Sequence, residues 1–147
     1  MLRKNAGFSL TELMVIIGII ALMCGIAMPS IIGMLPKYRM GSAARDILGT
    51  FEFARLTAVK RNAVTLVTLD YANELVRITV GADTVRTIRM PAGIDLKQPA
   101  SNSLGASFNF NGQGMADKAG EVLISNGGRH PDKKVTLSAG SSIKIAN

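Results

Sequence analysis

The side chains able to do covalent or acid–base chemistry are few and scattered. Cys24 is the only cysteine and lies inside an apolar run, His130 is the only histidine, and tryptophan is absent. An activated thiol needs a base or a positive neighbour, and a metal centre needs several ligands at suitable spacing; this chain offers neither. His130 and Asp132 flank Pro131 with no nucleophile beside them, so the segment reads as a polar turn. There is no phosphate-cradling GxxxxGK loop, dinucleotide fingerprint, CxxC pair, zinc-protease helix or nucleophile elbow, and the glycines of NFNGQG fit none of these patterns. No enzyme activity, cofactor or metal is expected, and one cysteine forbids an intrachain disulfide.

Other residues carry interaction chemistry. In RKNAGFSLTE the Gly7–Phe8 bond separates a charged leader from an apolar segment, so a cut there would leave that segment in the mature chain. Glu12 puts a carboxylate at the start of the segment. That is costly in lipid but favourable beside the free amides and positive dipole end of a helix N-terminus, and such a residue can snorkel to the interface. Near the C-terminus, Arg129, Lys133 and Lys134 could contact DNA phosphates without a base code, or simply solvate a turn. Phe108 and Phe110 alternate along a β-prone run, which suits core filling better than nucleotide stacking.

The elements that must position these residues follow from charge and hydropathy. With 147 residues, 48% of them hydrophobic, one compact domain is favoured over two, and a disordered chain is excluded. The formal charge of +7 permits anionic partners but also serves solubility. From Leu13 to Pro36 there is no Asp, Glu, Lys or Arg. About 20 helical residues cross a hydrocarbon layer of roughly 30 Å, so this run reads as a membrane helix. Arg3 and Lys4 before it place the leader on the cytoplasmic side. A secretory cut after Ala27 would discard the helix; a cut after Gly7 would keep it.

Beyond Pro36 the pattern becomes amphipathic. Ala44, Ile47, Leu48, Phe51, Ala54 and Ala58 recur at three- and four-residue spacing, with Arg45, Asp46, Glu52, Arg55, Lys60 and Arg61 between them. A helix from Phe8 to Arg61 would measure about 80 Å if continuous. Pro29, Gly33, Pro36 and Gly41 predict a bend or locally opened stretch within it. After Asn62, VTLVTLD, ELVRITV and TVRTIRM predict strands with turns at 71–73 and 81–83. Shorter strands are expected at 108–110, 121–125, 135–138 and 142–145, with 91–107 as a connection. Ile47, Leu48 and Phe51 are expected to meet Leu66, Val76, Ile78 and Ile88.

The segment KNAGFSLTELMVIIGIIALMCGIAMP resembles the class III signal peptides of type IV pilins and type II secretion pseudopilins. The resemblance implies cleavage after Gly7 by a prepilin peptidase, N-methylation of Phe8, and pairing of Glu12 with the Phe8 amine of a neighbouring subunit. It also makes Pro29 the helix-disturbing proline, joined here by Gly33 and Pro36. ILGTFEFARLTAVKRNAVTLVTL, FNFNGQG and ISNGGR are similar to the GspH and FimT branch.

The implied fold is the α+β pilin fold, a long N-terminal membrane and spine helix packed against a small antiparallel β-sheet. The expected parts are a leader at 1–7, a transmembrane and filament-core region at 8–36, a spine at 37–62 and a β head at 63–147. The implied function is that of a minor subunit of a type IV pilus-like fibre that supports assembly. The alternatives are a type II secretion pseudopilin and a DNA-binding minor pilin active in DNA uptake. Implied partners are the peptidase, other pilins or pseudopilins, an inner-membrane assembly platform and, before assembly, the lipid bilayer, with the head in the periplasm. DNA-uptake members of the branch carry basic residues at a glycine-arginine turn. Here Gly128-Arg129-His130-Pro131 has proline at the expected second basic position, where Lys133 and Lys134 could compensate.

Overall fold

The computed structural model describes residues 8–128, 130–138 and 140–146. The chain divides into two units, one ending at Leu35 and the other starting at Pro36. A helix, α1 (Leu10–Arg61), runs through the first and opens the second, its backbone helical across Pro29, Gly33, Pro36 and Gly41.

Within the second unit, Met40, Ala43, Ala44, Ile47, Phe51, Ala54 and Ala58 form one buried stripe of α1. Their spacing is that of a single helix face, and the alanines leave room for close packing. Thr50 is buried on the same side, and its hydroxyl donates to the Asp46 carbonyl at 2.6 Å, so no unpaired donor is carried inward. The helix ends because Asn62 takes a left-handed φ of 46°. Its N–H donates to the Val59 carbonyl at 3.2 Å and that of Ala63 to the Ala58 carbonyl at 3.1 Å. This is the Schellman arrangement, with Lys60 and Arg61 at the negative end of the dipole.

Eight strands follow: β1 (Thr65–Asp70), β2 (Leu75–Val80), β3 (Asp83–Arg89), β4 (Asp95–Lys97), β5 (Ser107–Phe110), β6 (Gly120–Ser125), β7 (Lys133–Leu137) and β8 (Ile143–Ala146). They divide between two four-stranded sheets, ordered β3-β2-β1-β5 and β4-β6-β7-β8, and every strand pairing is antiparallel. Inner residues of both sheets join the α1 stripe in one core that includes Val67, Val76, Ile78, Val122, Ile124 and Val135. At its centre the Phe51 ring meets Phe108 edge-on at 5.0 Å, and Phe108 meets Phe110 at 5.5 Å.

Strand parity corrects part of the expected core. β1 alternates buried and half-buried, with Thr65, Val67 and Leu69 inward, which leaves Leu66 on the other face. Leu66 and Val67 are adjacent apolar residues, and only one of them can share a face with Leu69. Leu48 and Ile88 are half-buried rather than central, whereas Val76 and Ile78 are fully enclosed. The expected 91–107 connection contains β4, which pairs with β6 and is too short to show a period of its own.

Close approaches fix the turns. Gly112 abuts Asn62 so tightly that a Cβ there would overlap the asparagine, and a Cβ on Gly120 would lie 2.8 Å from the backbone of Ser103 and Leu104. Between β1 and β2, Asp70 accepts from the Ala72 and Asn73 amides at 3.1 and 2.9 Å and from the Asn73 side chain at 2.8 Å. The Asn73 side-chain bond, then that residue's amide, holds the Asp70 carboxyl below its ordinary range. Tyr71 donates to the Gly105 carbonyl at 2.8 Å, and burial pushes its phenol up.

Phe51→Ala should cost the head about 3–5 kcal/mol, read by urea unfolding, because it empties the centre of the aromatic cluster. Asp70 stabilises the hairpin fully above the carboxylate pKa of the unfolded chain, and this contribution disappears as pH falls through the lowered folded value. Asp70→Ala should therefore flatten the acid limb of a plot of unfolding midpoint against pH.

Candidate functional site

The stem begins with a cap. The Glu12 amide donates to Ser9 Oγ at 3.1 Å, the Leu13 amide to the Ser9 carbonyl at 3.2 Å, and the Ser9 and Thr11 hydroxyls lie 3.0 Å apart. Ser9-Leu10-Thr11-Glu12 has the spacing of a capping box, with the serine satisfying a backbone donor and the glutamate placed in the first turn. Phe8 and Glu12 are both exposed. Glu12 stands in the first turn of the helix, and Lys134 and Glu121 form an ion pair elsewhere, in the head.

Leu10–Met28 is 19 residues long, apolar, and long enough to cross a bilayer, and none of it is buried by protein. Cys24 lies on this exposed stem. The backbones of Pro29, Gly33 and Pro36 are helical, and Gly33 faces open space. Gly7 and Arg129 lie outside the described residues.

At the start of the second unit, Lys37, Met40, His130, Pro131 and Lys133 line a cavity of about 390 Å³. A smaller one of about 90 Å³ is lined by Pro36, Arg39, Ala92, Gly93, Ile94 and Asn126. Arg39 Nη1 donates to the Ala92 carbonyl at 3.4 Å. Asn126 Oδ1 accepts the His130 amide at 3.1 Å, while its buried Nδ2 has no protein partner among the described residues. The two lysines of the expected phosphate patch are thus divided: Lys133 lines the larger cavity, and Lys134 Nζ sits 3.3 Å from Glu121 Oε2. Such a half-exposed ion pair is worth about 0–1 kcal/mol and serves mainly to orient Lys134. Sequence reading missed Lys37. Its signal was its place as the first cation after the charge-free run.

An uncovered apolar stem whose helix goes on to back a two-sheet head defines the structural class of pilins and pseudopilins. The fold is similar to that of the type IV minor pilin FimU of Pseudomonas aeruginosa, with a TM-score of 0.64, 16% identity, and coverage of 76% of this chain and 90% of that one. It is also similar to the minor pseudopilin EpsH of the Vibrio cholerae type II secretion system, with a TM-score of 0.62, 11% identity, and coverage of 75% and 97%. A search of curated proteins finds no match. The chain belongs to the GspH family, described as type II transport protein GspH, whose model matches residues 43–141; the prokaryotic N-terminal methylation motif matches residues 2–28. Stem and motif together make it a membrane-anchored member of a class of structural proteins.

Ser9→Ala should speed hydrogen exchange of the Glu12 amide by about fivefold in the micelle-bound chain, the equivalent of losing about 1 kcal/mol of N-cap. Unchanged exchange would show that Ser9 does not hold the helix start.

Proposed function

We propose that the chain is a minor structural subunit of a type IV pilus-like fibre. A prepilin peptidase cuts after Gly7 and methylates the Phe8 nitrogen. Before assembly the stem crosses the inner membrane with the head in the periplasm; afterwards the same apolar surface packs among the stems of other pilins. An inner-membrane platform drives the transfer. The observation that carries this reading is the apolar helix left bare by its own protein, beginning at a capped turn that displays Glu12.

Glu12 then meets the Phe8 amine of an adjacent subunit, replacing exposure to water or lipid with an ion pair. Pro29, Gly33 and Pro36 soften the helix where it passes from one packing environment to another. Proline removes a ladder donor and glycine adds backbone freedom, so a small change of curvature there costs little.

A second reading, a type II secretion pseudopilin, draws support from the GspH family match across the head. Its fibre would be short and would act on protein export rather than at the cell surface.

Gly7→Ala should abolish the processed mass. Glu12→Gln should leave processing and membrane retention intact while lowering incorporation into fibres by at least about tenfold. Normal incorporation of the Glu12 variant would remove the pairing role. Loss of surface fibres in a deletion strain supports the pilus reading, and loss of protein export alone supports the secretion reading.

A further inference from the structure

The loop that closes on the end of α1 is organised around one side chain. Asn111 Oδ1 accepts the Gln113 amide at 3.0 Å and the Met115 amide at 2.9 Å. On the main chain, the Asn111 amide donates to the Met115 carbonyl at 2.9 Å and the Gly114 amide to the Asn111 carbonyl at 2.8 Å. A side-chain oxygen that accepts from the amide two residues on lies folded over the intervening peptide, so Asn111 Cγ is brought beside the nitrogen of Gly112. Asn111 is exposed and Gly112 half-buried, which gives water access to both. None of the described residues accepts the Gly112 N–H. Packing demands glycine here, because a Cβ would overlap Asn62. The same missing side chain leaves the nitrogen unshielded toward Asn111.

This arrangement makes the Asn111 amide an electrophile. Two N–H groups draw charge from Cγ and point at the oxygen on which negative charge would collect if a nucleophile added, as donors do around tetrahedral intermediates of acyl transfer. A nucleophile held next to its target also avoids the entropy of meeting it. Asn126 is likewise followed by glycine, but it is only 6% exposed, which keeps water from its side chain.

We propose that Asn111 is a self-modification site, at which the folded loop converts the side-chain amide to a succinimide and then to an acid. Hydroxide takes the Gly112 amide proton, and the nitrogen pair forms a bond to Cγ. The carbonyl electrons move onto Oδ1, where the Gln113 and Met115 amides hold them. Collapse restores the carbonyl and breaks the Cγ–Nδ2 bond; Nδ2 leaves as ammonia with a proton from water, which regenerates hydroxide. Water then opens either ring carbonyl, giving an aspartyl or an isoaspartyl residue at position 111. The isoaspartyl form lengthens the main chain by one atom. Gly112 and Gly114, seated against Asn62, Val59 and Arg55, then lose their fit, and the end of α1 is loosened.

The test incubates the full chain in detergent micelles at neutral pH and follows the one-dalton gain by peptide mapping. The comparisons are the same chain in urea and a synthetic peptide of residues 107–117. Position 111 should convert before position 126. Its rate should exceed that of the peptide by at least about fivefold and rise by about tenfold per pH unit near neutrality. Isoaspartate should exceed aspartate in the product, and Asn111→Gln, whose longer side chain disfavours the ring, should abolish the gain. In the modified fraction the Ala63 amide, bonded to the Ala58 carbonyl at 3.1 Å, should exchange its hydrogen at least about fivefold faster. A folded rate equal to or below that of the peptide or the urea-unfolded chain overturns the inference, as does earlier conversion of position 126. Aspartate without isoaspartate overturns the succinimide route, and unchanged Ala63 exchange overturns the loosening.

Discussion

An apolar helix that its own protein leaves bare must be covered by something else. Each leucine, isoleucine or methionine kept in water forgoes about 1.5–3 kcal/mol relative to burial, and Leu10–Met28 exposes such residues all around the helix. Acyl chains and the stems of fellow subunits meet this need equally well, since the interaction has no direction. Polar detail is confined to the end of the stem. There Ser9 satisfies a backbone donor and Glu12 stands in the first turn, which places directional hydrogen-bonding and charge at the head of an otherwise apolar run.

The same helix changes its solvent as it proceeds. From Met40 onward the apolar residues thin to a stripe, largely alanine, that buries against two sheets around Phe51, Phe108 and Phe110. Its C-terminus is held at several points. Arg55 Nη1 donates to the Ser141 carbonyl at 3.4 Å, Gly112 closes on Asn62, and Gly114 fits beside Val59 and Arg55. The segments that resembled family motifs, the Arg61-Asn62 exit and FNFNGQG, are therefore two sides of one contact.

Local pattern made much of this readable. The charge-free run marks the stem, the three- and four-residue spacing marks the buried stripe, and alternation places Phe108 and Phe110 in the core. What escaped depends on distant partners. Leu66 and Val67 compete for one face, and the choice is settled by Leu69 and by the β2 and β5 neighbours. β4 exists because β6 lies beside it, and the division into two sheets follows pairings that no window of sequence contains. Lys37 was visible as a cation but not as a cavity wall, because His130 and Lys133 reach it only through the fold.

The outer strand β3 has a consequence for crowding. Asp83, Arg86 and Arg89 are exposed along an edge to which no further strand pairs among the described residues, and Arg86 is drawn 5.3 Å above the Phe53 ring. Sheet edges held at high local concentration tend to zip into one another, and charged side chains oppose that fusion. A family whose members gather in ordered arrays gains from heads that stay separate at such an edge. Cohesion can then be left to the greasy stalks, and each domain keeps its own outline however tightly its neighbours are ranked beside it.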